Sequence, residues 1–170
     1  RYTPADAQAR LLEFGTVRAP TPVEQPETST DLQFDTFTQL DGVTLPPGTT
    51  YQAGDILPVT LHLRALRPNF TVYRVAIFLA DEGNNVVAQG DDSRMMGGFL
   101  PEDTWLAGEP IVDNRAMRLP DDLAPGTYRI WLRLYDFDEA GQVQTATVTG
   151  TDTIIDGDIA VLPLTITIIE

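Results

Sequence analysis

Leu123-Ala124-Pro125-Gly126-Thr127-Tyr128-Arg129-Ile130-Trp131-Leu132-Arg133-Leu134-Tyr135-Asp136 carries an unbroken two-residue alternation. Tyr128, Ile130, Leu132 and Leu134 fall on one face, and Thr127, Arg129, Trp131, Arg133 and Tyr135 on the other, the period of a half-buried antiparallel strand. Asp136 to Gly141 then turns the chain back. Pro125-Gly126 reads as the turn that launches the strand, where a positive φ would make a side chain at Gly126 costly.

The rest of the chain repeats this pattern. The expected strands are Leu32 to Leu40, Asp55 to Leu66, Thr71 to Ala80, Asn85 to Gln89, Ile111 to Leu119, Thr127 to Tyr135, Gln142 to Val148 and Ile159 to Ile169. Pro46-Pro47-Gly48, Pro68-Asn69, Asp81-Glu82-Gly83-Asn84, Pro120-Asp121-Asp122 and Asp138-Glu139-Ala140-Gly141 supply turn residues between them. The fold expected is all-β, an immunoglobulin-like antiparallel sandwich of about 7–9 strands with a long inter-strand loop from Gly90 to Pro110. Trp105, beside Leu106 and after Phe99, reads as a plug pinning that loop, with Met95 and Met96 as further anchors.

The 170 residues suffice for one sandwich, burying roughly 70% of its unfolded surface. Residues 1–30, with Pro20, Pro22 and Pro26 among polar neighbours, read as a linker or tether, and residues 31–170 as the sandwich domain. A net charge of -14 argues against nucleic acid and against anionic lipid surfaces. All 11 basic residues are arginine, and there is no cysteine, so thiolate metal sites and cysteine nucleophiles are unavailable. No stretch approaches the ~20 apolar residues of a membrane span, so direct insertion of this segment is not expected.

Gly54-Asp55 leading into Leu57 to Leu66, Tyr73 to Leu79, Ala88-Gln89, Gly98 followed by Trp105-Leu106-Ala107-Gly108-Glu109, and Leu119 to Tyr135 carry a resemblance over roughly Leu32 to Ile169. Together they resemble the C-terminal sandwich domains of multi-spanning bacterial glycosyltransferases of the dolichyl-phosphate-mannose protein mannosyltransferase type, especially those of Chloroflexi-like bacteria. The resemblance implies a non-catalytic accessory domain on the extracytoplasmic side, anchored through a membrane segment outside this chain. No catalytic residue carries over. The partners it implies are the parent membrane domain or a glycan. The chain departs from the pattern in a Thr-rich insert from Thr145 to Asp158.

Of the residues that carry chemistry, His62 is expected as a plain surface residue of its strand. Ser29 and Ser93 are placed in the tail and the long loop, away from it, so no Ser-His-Asp relay and no catalytic residue is expected. One histidine and no thiol leave nothing for a transition metal. Calcium is the cation that the turn carboxylates Asp81, Glu82, Asp91, Asp92, Asp136, Asp138, Glu139, Asp152, Asp156 and Asp158 would suit, giving a calcium-stabilised adhesion-like module as one reading. Solvated turn carboxylates are the other, and no resident cofactor is expected.

The candidate ligand site is Trp131 with Arg129 and Arg133 on one strand and Arg74 and Phe78 on a neighbour. These form an aromatic and arginine face suited to stacking a sugar or gripping an anion. The competing reading covers Trp131 with the long loop.

Overall fold

The computed structural model describes residues 25–45, 48–67, 73–90, 94–95 and 105–170. Twelve strands run in chain order: β1 (Thr28–Phe34), β2 (Thr38–Thr44), β3 (Thr50–Gln52), β4 (Ile56–Ala65), β5 (Arg74–Ala80), β6 (Val86–Gln89), β7 (Pro110–Arg118), β8 (Gly126–Phe137), β9 (Val143–Thr145), β10 (Val148–Gly150), β11 (Ile154–Ile155) and β12 (Ile159–Ile169). They form two packed sheets, the all-β sandwich that alternation dictates. The first has the order β10-β1-β2-β4-β7. The second has β11-β12-β8-β5-β6, with β3 added along β12 and β9 along β8.

β8 is interior to the second sheet, antiparallel to β12 on one side and β5 on the other. Its expected alternation holds. Tyr128, Ile130, Leu132 and Leu134 enter the main core with Leu57, Leu61, Val75, Ile77, Leu79, Ile166 and Ile168. Full burial of each aliphatic side chain contributes roughly 1.5–3 kcal/mol. The Tyr128 hydroxyl donates to the Ala124 carbonyl at 2.7 Å, tying the strand entry to the chain just upstream as the tyrosine corner of immunoglobulin-like sandwiches does.

Several expectations need correction. Leu32 to Leu40 is not one strand, because Asp35, at φ 49°, turns β1 into β2. Gln142 to Val148 divides too. β9 ends against β8, Ala146 N bonds the Leu134 carbonyl, and Thr147 N then bonds Asp35 Oδ1, carrying the chain across to β10 in the other sheet. The Thr-rich insert thus laces the sheets together, since β11 returns to the second sheet and pairs with β12. Gly126 is extended backbone within β8, not a positive-φ turn residue. An added Cβ there would meet only Tyr128 at ordinary contact distance.

Most of the expected tether lies outside the described residues. Its end does not behave as one, because Thr28 to Thr30 already belong to β1 and Pro26 packs over Gly42 of β2. Of the long loop, Met95 and Trp105 are buried in the main core, as the plug reading expected. Met96 and Phe99 lie outside the described residues.

Candidate functional site

The outward face of the second sheet brings the expected site residues onto adjoining strands. Across the β5–β8 ladder Arg74 pairs with Tyr135, Ala76 with Arg133, Phe78 with Trp131 and Ala80 with Arg129. Alternation puts all eight on the side away from the core. The expected register is therefore observed, but its centre is not where the sequence placed it.

Trp131 is only 5% exposed. It packs with Ala80, Ile159, Val161, Phe78 and Ile155 in a small cluster on the outer side of the sheet. The cover comes from the β11–β12 hairpin, whose residues Ile155, Ile159 and Val161 point outward beside the indole. Trp131 is thus a packing residue: of the two readings the covered one holds, with this hairpin supplying cover, and the indole is not an exposed stacking platform. Its Nε1 is buried without a hydrogen-bond partner. Arg129 is drawn elsewhere, its Nη2 donating to the Glu82 carbonyl at 3.1 Å and bracing the β5–β6 turn.

What stays open is a groove of about 240 Å³ lined by Ala76, Phe78, Gln89, Arg133, Tyr135 and Val143. Ala76 makes the floor. Between the longer Arg74 and Phe78 on β5 it has only a methyl group to set against Arg133, so the surface dips there. Phe78 and Tyr135 form aromatic walls, and Val143, 53% exposed, forms a rim from β9.

Arg133, which lines this groove, and Arg74, two residues before Ala76 on β5, differ in their partners. Arg133 Nη2 lies 3.2 Å from both carboxylate oxygens of Asp158, and its guanidinium stands 6.0 Å from the Phe78 ring. Arg74 has no carboxylate partner among the described residues. Its guanidinium stands 5.5 Å from the ring of Phe137, which meets Tyr135 edge-on at 5.7 Å. The Nε atoms of Arg74 and Arg133, like Trp131 Nε1, are buried without an acceptor. Three unpartnered donors on one sheet face are a concentration that a folded protein ordinarily avoids.

A second hollow, about 250 Å³, lies on the outer face of the first sheet and includes Pro26, Ser29, Asp41, His62, Arg64 and Val112. His62 does sit on the outward side of β4, but at 6% exposure it is not a surface residue. Its cross-strand neighbour Gly42 has no side chain, and Pro26 fills that space from above. Ser29 lies in β1 facing the same hollow, not in a tail. Serine, histidine and aspartate therefore share one depression, yet they are not wired as a relay. His62 Nε2 shares a 3.0 Å hydrogen bond with Thr44 Oγ1, while both Asp41 oxygens take Arg64 at 2.6 and 3.0 Å. A base must reach the nucleophile's proton and be oriented by the acid, and here each has another partner.

Three of the turn carboxylates act as backbone acceptors. Asp81 Oδ1 takes the Asn85 amide at 2.8 Å, Asp138 Oδ1 takes the amides of Ala140 and Gln142, and Asp152 Oδ2 takes that of Asp31. The Asn85 bonds hold the Asp81 carboxyl below its ordinary range. Among the described residues no three histidine or acidic side chains converge on a point that would hold a metal. Asp91 and Asp92 lie outside them.

One functional-looking feature was missed in the sequence. Asp113 and Arg115 face inward on β7, in phase with the core residues Ile111 and Met117, and form a buried ion pair at 2.8 Å. The signal was available, because Ile111-Val112-Asp113-Asn114-Arg115-Ala116-Met117 alternates with two charges in the inward phase.

No family model matches the chain, and no curated protein matches it. Among solved structures it is similar to the C-terminal domain of Wzt, at 8% identity, over 86% of this chain and 96% of that one, with a TM-score of 0.47. The assignment as a sandwich rests on the strand pairing itself.

Proposed function

We propose that this chain is a non-catalytic accessory domain that binds a saccharide in the groove over Ala76, as part of a larger membrane-associated protein on the extracytoplasmic side. The observation that carries the binding reading is the groove itself. Two aromatic side chains flank a floor kept low by alanine, and Gln89, Arg133 and the Tyr135 hydroxyl supply hydrogen-bonding groups around it. A pyranose ring has apolar C–H faces and polar edges, and such a site offers surfaces to both. The setting, a domain of a glycosyltransferase of the mannosyltransferase type named above, is supported by the sequence resemblance. Among the described residues no helix is long and apolar enough to cross a membrane, and the proposal places the anchor elsewhere in the parent protein.

Isothermal titration with oligosaccharides, comparing the wild-type chain with Gln89→Ala and Val143→Asp, tests the binding reading. Both residues are exposed, so folding is spared. Binding that weakens in both variants is the expected result, and binding indifferent to both would reject the groove. Protease accessibility of an epitope-tagged parent protein in intact cells tests the placement, with protection from external protease contradicting it.

A further inference from the structure

Resting on the reading of the groove as a saccharide site, we propose that its sugar carries a carboxylate and that Arg74, with Arg133 beside it, receives that group. The argument begins with the balance of donors and acceptors. A neutral sugar presents hydroxyls that donate as well as accept, so its site needs acceptors too. Gln89 and the Tyr135 hydroxyl can accept as well as donate, but the charged group that lines this groove is the Arg133 guanidinium, which only donates, and Arg74 beside it on β5 adds a second such group. The carboxylate nearest to Arg133, that of Asp158, is already committed to it.

Among the described residues Arg74 has no counter-charge, on a chain whose net charge is -14. Its described neighbours across and along the ladder are Tyr135, Ala76, the Phe137 ring and, on its other side, Arg94, none of which brings a negative charge. The Phe137 ring beside the guanidinium limits its motion while supplying no acceptor. A planar cation held this way suits the two parallel bonds that a carboxylate makes with arginine. Partial burial strengthens that contact, because Arg74 Nε is already withdrawn from water.

Arg133 has the supporting part. Asp158 fixes its position, and one carboxylate between two guanidiniums leaves the groove locally positive. That field acts within the groove, since the acidic remainder of the surface is screened beyond about 8 Å at physiological ionic strength. A free anion would meet the same charge but would leave the Phe78 and Tyr135 walls unused, so a ring bearing the carboxylate fits the whole site.

The test titrates the intact chain with hexasaccharides containing galacturonate, mannuronate or glucuronate, each as the acid and as its neutral methyl ester, with inorganic phosphate as a competitor. At least one acid is expected to bind about tenfold or more tighter than its ester. Arg74→Gln should abolish that preference, bringing the acid down to the affinity of its ester in the same variant. Equal binding of acid and ester, or a preference that survives Arg74→Gln, would overturn the carboxylate assignment and leave the saccharide reading standing. No binding by any sugar, or displacement of the acid by phosphate at equal concentration, would overturn both.

Discussion

Arg115 Nε donates to Asp113 Oδ2 at 2.8 Å inside the sandwich, with side chains 2% and 3% exposed respectively. Arg115 Nη2 also reaches the Arg94 carbonyl at 3.0 Å, so the pair joins the inward face of β7 to the segment that follows β6. Two charges taken from water repay their desolvation only when each is well bonded, and removing one charge takes its compensation from the other.

Asp113→Asn is therefore expected to destabilise the domain by about 3–5 kcal/mol, whereas replacing the pair together by Leu and Met should cost far less. Urea unfolding of the two singles and the double gives the coupling. Additive losses would show that the two charges do not depend on each other.

Trp131→Phe should be close to neutral in stability. The smaller ring loses some contact with Ile159 and Val161, but it also removes a buried N–H that has no acceptor, worth about 1–3 kcal/mol in the opposite direction. Trp131→Ala, by contrast, should cost about 3–5 kcal/mol. Thermal denaturation of both variants checks the pair, and a large loss in Trp131→Phe would mean that the indole N–H bonds something essential.

Asp81→Asn should lower stability near neutral pH and have no effect in strong acid. The folded carboxyl is held below its ordinary value of 3.8, first by the Asn85 side chain and then by the Asn85 amide. A depressed folded pKa contributes stability that is present above the unfolded value and is lost as pH falls through the folded one. The difference in melting temperature between wild type and variant should close as pH falls from 4 toward and below the depressed value. A difference unchanged across that range would refute the role of ionised Asp81 in the turn.

Ser29→Ala and His62→Gln should leave ester and glycoside reporters as untouched as the wild type leaves them. The hydrogen bonds of His62 to Thr44 and of Asp41 to Arg64 keep the three groups of that hollow apart in function. Turnover by the repurified wild-type chain that vanishes in Ser29→Ala would make the hollow an active site.

What was legible in the sequence follows from where side-chain chemistry differs between the two faces of a strand. β8 shows its register because Ile130 and Leu132 cannot share a face with Arg129 and Arg133 without burying charge. The β1–β2 reversal was missed because Asp35-Thr36-Phe37 contains neither glycine nor proline, and an aspartate supplies the positive φ. The crossing from β9 to β10 was missed for the same lack of punctuation at Ala146-Thr147. The cover over Trp131 had a signal that went unused. Asp156 and Gly157, at φ 53° and 80°, form a turn that folds Ile155 back onto Ile159, and that hairpin supplies the apolar lid. Alternation gives the face of a side chain but not what lies on that face, so Trp131 was placed on the correct side while its exposure stayed open. The groove itself depends on Ala76 standing opposite Arg133, a relation set by pairing between distant strands.

Amide chemical-shift mapping of the isotopically labelled chain, titrated with the same acidic and neutral hexasaccharides, tests the central claim most directly. The account predicts saturable shifts concentrated at Ala76, Phe78, Gln89, Arg133, Tyr135 and Val143, with His62 and Val112 on the opposite sheet unmoved. Shifts confined to the His62 hollow, or none at any residue, would contradict it.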